Sequence, residues 1–141
     1  MSEKRPSGDL EEVVDGLLEV THKVQHAVSV VAARHDLTPQ QVALLRMLDK
    51  PVSMRTFAED MACDPSNVTG LVDRAERLEL VERIPATEDR RVRRLTLTAK
   101  GRRVRDEVNG DLAQELANAL GLERDDADRL LLLLRRVRSG Q

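Results

Sequence analysis

Residues 64–83 read DPSNVTGLVDRAERLELVER. Asp64-Pro65 pairs an N-cap residue type with a proline, whose missing N–H costs nothing at the first helical position. Val68, Leu71, Val72, Ala75 and Leu78 then recur at three- and four-residue steps, one apolar stripe of a helix running to about Leu78. The opposite side carries Ser66, Asn67, Gly70, Asp73, Arg74 and Arg77. From Leu80 the period shortens: 80–84 (LVERI) and 93–98 (RRLTLT) read as two short strands joined by the polar segment 85–92. A polar-faced helix running straight into a hairpin is the kernel of the fold.

Upstream, Ser53 is placed to cap a short helix over 54–62, with Phe57, Ala58 and Met61 facing inward. Before it, Thr38 as N-cap and Pro39 open a helix whose core side is Val42, Leu44, Leu45 and Leu48 and which Lys50-Pro51 ends. Residues 9–34 form a long amphipathic helix: Leu10, Val13, Val14, Leu17, Thr21, Val24, Val28 and Val31 share one face. Downstream, Thr98-Ala99-Lys100-Gly101 restarts a helix through Val104, Val108, Leu112, Leu116 and Leu120, which Gly121 breaks. A last helix, about 123–138, carries five consecutive leucines, Leu130 to Leu134, an apolar surface wider than one groove needs. The fold class expected is mainly α, with four helices, two strands and two helices in that order and no internal repeat.

Composition narrows the function. A length of 141 residues favours one domain. With 40% hydrophobic residues, 7 glycines and 5 prolines, the chain is too apolar and too poor in Pro and Gly to be disordered. Phe57 is the only aromatic residue, which excludes proteins that stack bases on aromatic rings. A single cysteine, Cys63, leaves no intrachain disulfide and no multi-cysteine zinc site. The polar start, 1–8, has no apolar signal-peptide core, and the longest apolar run falls far short of the roughly 20 residues that cross a bilayer. A cytoplasmic location with no membrane partner is expected. No glycine-rich phosphate loop, nucleophile elbow or metalloprotease helix is present, so no enzyme activity, cofactor or metal is expected.

Net charge is only −2, but its distribution is uneven. Between 90 and 105 lie Arg90, Arg91, Arg93, Arg94, Lys100, Arg102, Arg103 and Arg105 without one acid, while Glu82, Glu88 and Asp89 precede them and Asp106, Glu107 and Asp111 follow. Alone, such a run is a solvated face. Beside a short helix, a turn and a second polar-faced helix, it is the footprint of a duplex-DNA reader. The helix from Pro65 has small groups at its exposed end and can enter a major groove roughly 12 Å wide. Ser66 and Asn67 would bond base edges or phosphates, and Thr69 would add a hydroxyl or methyl from the flank. The first-turn amides favour an anion, and Arg74 and Arg77 reach phosphates or guanine. The hairpin arginines would straddle the backbone, with the tip at the minor groove. The expected DNA-binding residues are therefore Pro65, Ser66, Asn67, Thr69, Gly70, Arg74, Arg77, Asp89, Arg90, Arg91 and Arg93.

The stretch 64–83, Asp89-Arg90-Arg91 after it, Leu97-Thr98-Ala99-Lys100-Gly101, and Leu37-Thr38-Pro39-Gln40-Gln41 upstream together resemble the MarR family of bacterial transcription regulators. The resemblance implies one domain over 1–141: a winged helix-turn-helix DNA-binding lobe at 37–98 and dimerisation helices at 9–34 and 101–138. It implies an obligate homodimer on pseudo-palindromic operators, acting as a repressor, with a small-molecule effector as a further partner to which no residues are assigned. It also implies that Arg91 is the wing arginine entering the minor groove, that Ser66, Asn67, Thr69 and Arg74 lie on the DNA-facing helix, and that Asp89 or Asp73 holds an arginine by a charge-assisted hydrogen bond. Two residues depart from the family pattern. Glu79 stands where members usually have Gly, so either the backbone there is strained or the turn is built differently. Val42 stands where an aromatic is usual.

Three readings remain open in the sequence. Cys63 is either a small structural side chain at the turn between the two helices of the DNA-binding motif or a redox switch. His22 and His26, four apart on one helix face, serve a structural or interface role or hold a metal or effector. The functional alternative is a winged-helix module that binds another protein and not DNA, with Glu76, Glu79 and Glu82 as its acidic neighbourhood.

Overall fold

The computed structural model describes residues 7–61 and 65–140. Along the chain come α1 (Ser7–Arg34), α2 (Pro39–Met47), β1 (Val52–Ser53), α3 (Met54–Met61), α4 (Pro65–Arg77), β2 (Val81–Pro85), β3 (Arg93–Leu97), α5 (Ala99–Leu120) and α6 (Arg124–Ser139). Helix ends follow the chemistry of their caps. At α2 the backbone N–H of Gln41 donates to Thr38 Oγ1 at 3.2 Å, and the Thr38 N–H donates to Gln41 Oε1 at 2.9 Å, with Pro39 just inside. The helix stops at Met47, before Lys50-Pro51, yet Leu48 just beyond it is still buried. Gly121, at φ +60, ends α5 in the left-handed region that glycine enters without strain.

Three strands, and not two, make the sheet. Their order is β1-β3-β2, antiparallel throughout, with Val81 opposite Leu97 and Pro85 opposite Arg93 in the hairpin and Val52 opposite Leu95 on the other edge. A strand of two residues has no period for a sequence to display, and β1 was not expected. Ser53 serves it twice over. It pairs with Arg94 in the sheet, and its Oγ accepts the Thr56 N–H at 3.1 Å to cap α3.

The chain divides into two compact units, one at Val28–Asp111 and one drawn from residues up to Ala27 and from Leu112 onward. The first holds a closed aliphatic core: Leu44, Leu45 and Leu48; Phe57; Val68, Leu71, Val72 and Ala75; and Leu80, Val81, Leu95 and Leu97. This is a winged helix-turn-helix, with α3 and α4 as the helix pair and the β2–β3 hairpin as the wing. Leu78 departs from the expected stripe of α4: it lies just past the helix end and is 41% exposed. The second unit is built differently. Leu10, Val13, Val14, Leu17, Leu18 and Val20 of α1, and Leu130 to Leu134 and Val137 of α6, all stand exposed, Leu132 by 61%. Cys63 and the Asp64 cap lie outside the described residues. No helix among them is long and apolar enough to cross a membrane.

Candidate nucleic-acid interface

Helix α4 divides cleanly by side. Val68, Leu71, Val72 and Ala75 are buried, while Ser66, Asn67, Thr69, Arg74 and Arg77 are exposed, Gly70 is half-buried and Pro65 opens the helix. The 3.6-residue period thus commits one face to the core and delivers every polar candidate to the other.

Between these side chains lie two carboxylates, and both are occupied. Arg83 of β2 donates from Nη2 to Asp73 Oδ1 at 2.9 Å and from Nη1 to Glu76 Oε2 at 2.8 Å. One guanidinium therefore ties the helix to the wing and offsets part of the charge of the two acids nearest the exposed face. Asp73 would otherwise suit Arg77, its neighbour one turn along the helix. Among the described residues no hydrogen bond or ion pair engages the guanidinium groups of Arg74, Arg77, Arg90, Arg91 or Arg93. Arg83 was not among the expected site residues. Its partners lie 7 and 10 residues away on another element, a spacing with no sequence signature.

Asp89, Arg90, Arg91 and Arg93 are exposed at the wing. The turn is fixed from within: the Ala86 N–H donates to Val92 O at 2.8 Å, and the Val92 N–H to Asp89 O at 3.1 Å. The Asp89 carboxylate accepts the backbone N–H of Arg91 at 2.9 Å. Of the two acids expected to hold an arginine side chain, Asp73 does so, with Arg83, whereas Asp89 shapes the backbone that presents Arg91. The basic run is less uniform in space than in sequence. Arg94 approaches Glu88 at 3.7 Å, and Arg105 approaches Asp49 at 3.7 Å and Asp106 at 3.3 Å.

The turn leaving α4 is held by the start of α5. Glu79 adopts φ +58, the strained of the two alternatives for that position. The Thr98 hydroxyl donates to Glu79 O at 2.6 Å and accepts the Gly101 N–H at 3.0 Å, while Lys100 Nζ donates to Leu78 O at 2.9 Å. A Cβ at Gly101 would meet the carbonyl oxygen of Leu80 at 1.9 Å. The Thr and the Gly of the Leu-Thr-x-x-Gly pattern thus each have a task at this junction, Leu97 belongs to the core, and Lys100 satisfies a carbonyl at the helix end.

His22 and His26 are both exposed on α1, and no group of three or more His, Cys, Asp or Glu among the described residues is placed to hold a metal ion. His35 is used elsewhere, with Nε2 2.8 Å from Asp111 Oδ2.

The MarR family model matches residues 37–92, which hold α2, the helix pair and the wing turn. The transcriptional regulator MgrA of Staphylococcus aureus is 28% identical over 109 residues, 76% of this chain and 74% of its own. The transcriptional repressor MdtR of Bacillus subtilis is 37% identical over 81 residues, 56% of this chain and 52% of its own. Over the whole length the fold resembles that of a mutant MarR from E. coli solved with operator DNA, at TM-score 0.68 and 22% identity, covering 96% of this chain and 99% of that one. The likeness to that structure concerns architecture alone. Over residues 37–92, the helix pair and the wing turn, the chain is similar to the MarR family.

Proposed function

We propose that the chain is a homodimeric, sequence-specific reader of duplex DNA that represses transcription by occupying an operator. The observation that carries this reading is the set of guanidinium groups on α4 and the wing with no partner among the described residues, beside acids that Arg83 already engages. Exposed cations with no internal partner, on a helix with Ser66 and Asn67 at its entering end, suit phosphate positioning joined to base reading. The operator-bound fold of E. coli MarR and the name of MdtR as a repressor support the direction of the output. The open leucines and valines of α1 and α6 support self-association, with 9–34 and 101–138 as the joining helices of a single domain. Two recognition helices related by a dyad would lie about 34–36 Å apart, one turn of DNA. A small molecule that prefers the dimer with wrongly spaced helices would release it. The setting is the cytoplasm, where the DNA lies.

The test is selection from a random duplex pool with the purified protein, followed by sedimentation of the complex. A palindromic consensus bound by two chains is the expected result, with affinity falling by a log-log salt slope of roughly 0.9 per neutralised phosphate. Recovery of no consensus, with affinity equal on all duplexes or absent, overturns the reading in favour of a protein-binding winged helix.

A further inference from the structure

Gly70 lies in the interior of α4 with ordinary helical backbone, since the only glycines at positive φ are Gly121 and Gly140. No turn requires it, and nothing in the core presses on it. The one heavy atom that an added Cβ would meet within 4 Å is Arg74 Nη1, at 3.5 Å. Long side chains on a helix lean back toward its N-terminus. Here that lean lays the Arg74 guanidinium over the bare backbone of residue 70, a full turn toward the end of the helix that carries Ser66 and Asn67. The carboxylates that would draw it elsewhere, Asp73 and Glu76, are both held by Arg83. Glycine weakens a helix interior relative to alanine. The chain therefore keeps a locally unfavourable residue where even a β-carbon would touch this guanidinium and a longer side chain would compete with it for space.

From this arrangement we infer that Arg74 is the arginine that reads a base, aimed by Gly70 at the O6 and N7 of a guanine in the major groove, and that Arg77 is left to phosphate. The inference rests on the DNA-binding reading above and deepens it. Helices of this kind read bases with their N-terminal residues. A guanidinium carried back to the level of residue 70 joins Ser66 and Asn67, four and three residues before it, on one face. Arg77, the last residue of α4, lies a turn farther from the bases. The planar fork of an arginine is pre-organised to meet guanine O6 and N7 together. Gly70 is thus a positioning residue and Arg74 the specificity determinant.

The experiment uses the full chain and the duplex obtained by selection, with single guanines replaced in turn by 7-deazaguanine, which lacks the N7 acceptor. The parent should lose about tenfold or more at one guanine in each half-site. Arg74→Ala should bind the parent duplex more weakly and show no further loss at that guanine. Gly70→Leu should behave likewise while melting no lower than the parent, because leucine is the better helix former. Arg77→Ala should bind all duplexes more weakly, with a salt slope lower by roughly one, and retain the full penalty at the guanine. If the penalty survives Arg74→Ala or Gly70→Leu, or disappears with Arg77→Ala, the assignment is wrong even though the protein reads DNA. A parent that selects no duplex overturns the DNA reading and this assignment together.

Discussion

Gly101 and the carbonyl of Leu80 approach so closely that a β-carbon on residue 101 would stand 1.9 Å from the oxygen. The obstacle is backbone, so the clash has no flexible side chain to yield. Gly101→Ala must push α5 away from the turn behind α4 and break the hydrogen bonds that Thr98 and Lys100 make there. The expected loss is about 3 kcal/mol, the upper range for overpacking, read by urea denaturation. Gly110→Ala, where an added β-carbon meets nothing within 4 Å, should stay level or gain slightly. Equal stability of the two variants would contradict the contact.

Glu79 carries a side chain through φ +58. The left-handed region penalises a β-carbon by roughly 1–2 kcal/mol, and the greater freedom of unfolded glycine returns part of that. Glu79→Gly should therefore raise stability by up to about 1 kcal/mol, visible as a higher melting temperature. A lower melting temperature would show that the glutamate side chain contributes more than the turn gains.

Removing Arg83 should affect binding more than folding. Its carboxylate partners are about a third exposed or more, which holds the stability loss of Arg83→Ala to about 1 kcal/mol or less. The same change leaves Asp73 and Glu76 as two bare negative charges beside the arginines proposed to meet phosphate. Duplex affinity at low salt should fall by about tenfold or more. Adding Asp73→Asn and Glu76→Gln to that variant should restore part of it, and a triple variant no better than Arg83→Ala would exclude charge as the cause.

Arg91 stands at the wing with its backbone pinned by Asp89 and its guanidinium unpaired. Arg91→Ala should weaken operator binding and reduce the salt slope by roughly one, with the sedimentation behaviour of the free protein unchanged. A gel shift that titrates like the parent's would remove Arg91 from the interface.

Most of this architecture is written in periodicity. The stripe of α4, the capping box of α2 and the restart at Thr98 are local patterns, and each folds as its spacing requires. What escaped has in common that it is non-local. β1 becomes a strand only by pairing with β3, and Arg83 becomes a clamp only once the wing folds back on α4. The acid-free run 90–105 exaggerates its own charge, because Asp49 reaches Arg105 from outside the window. Leu78 continues the apolar spacing of the helix after the backbone has already left it, so its period pointed inward while its position does not.

The division of the chain bears on how it is made. Residues 28–111 are continuous and close their own core, whereas the other unit joins α1 residues up to Ala27 to partners that begin only at Leu112. Synthesis proceeds at about 5–20 residues per second, and continuous units fold as they leave the ribosome. The winged lobe can thus be complete before the residues from Leu112 onward have all been translated. A nascent chain therefore closes its one buried core first, and the apolar faces of α1 and α6 are both present only after α6 has emerged.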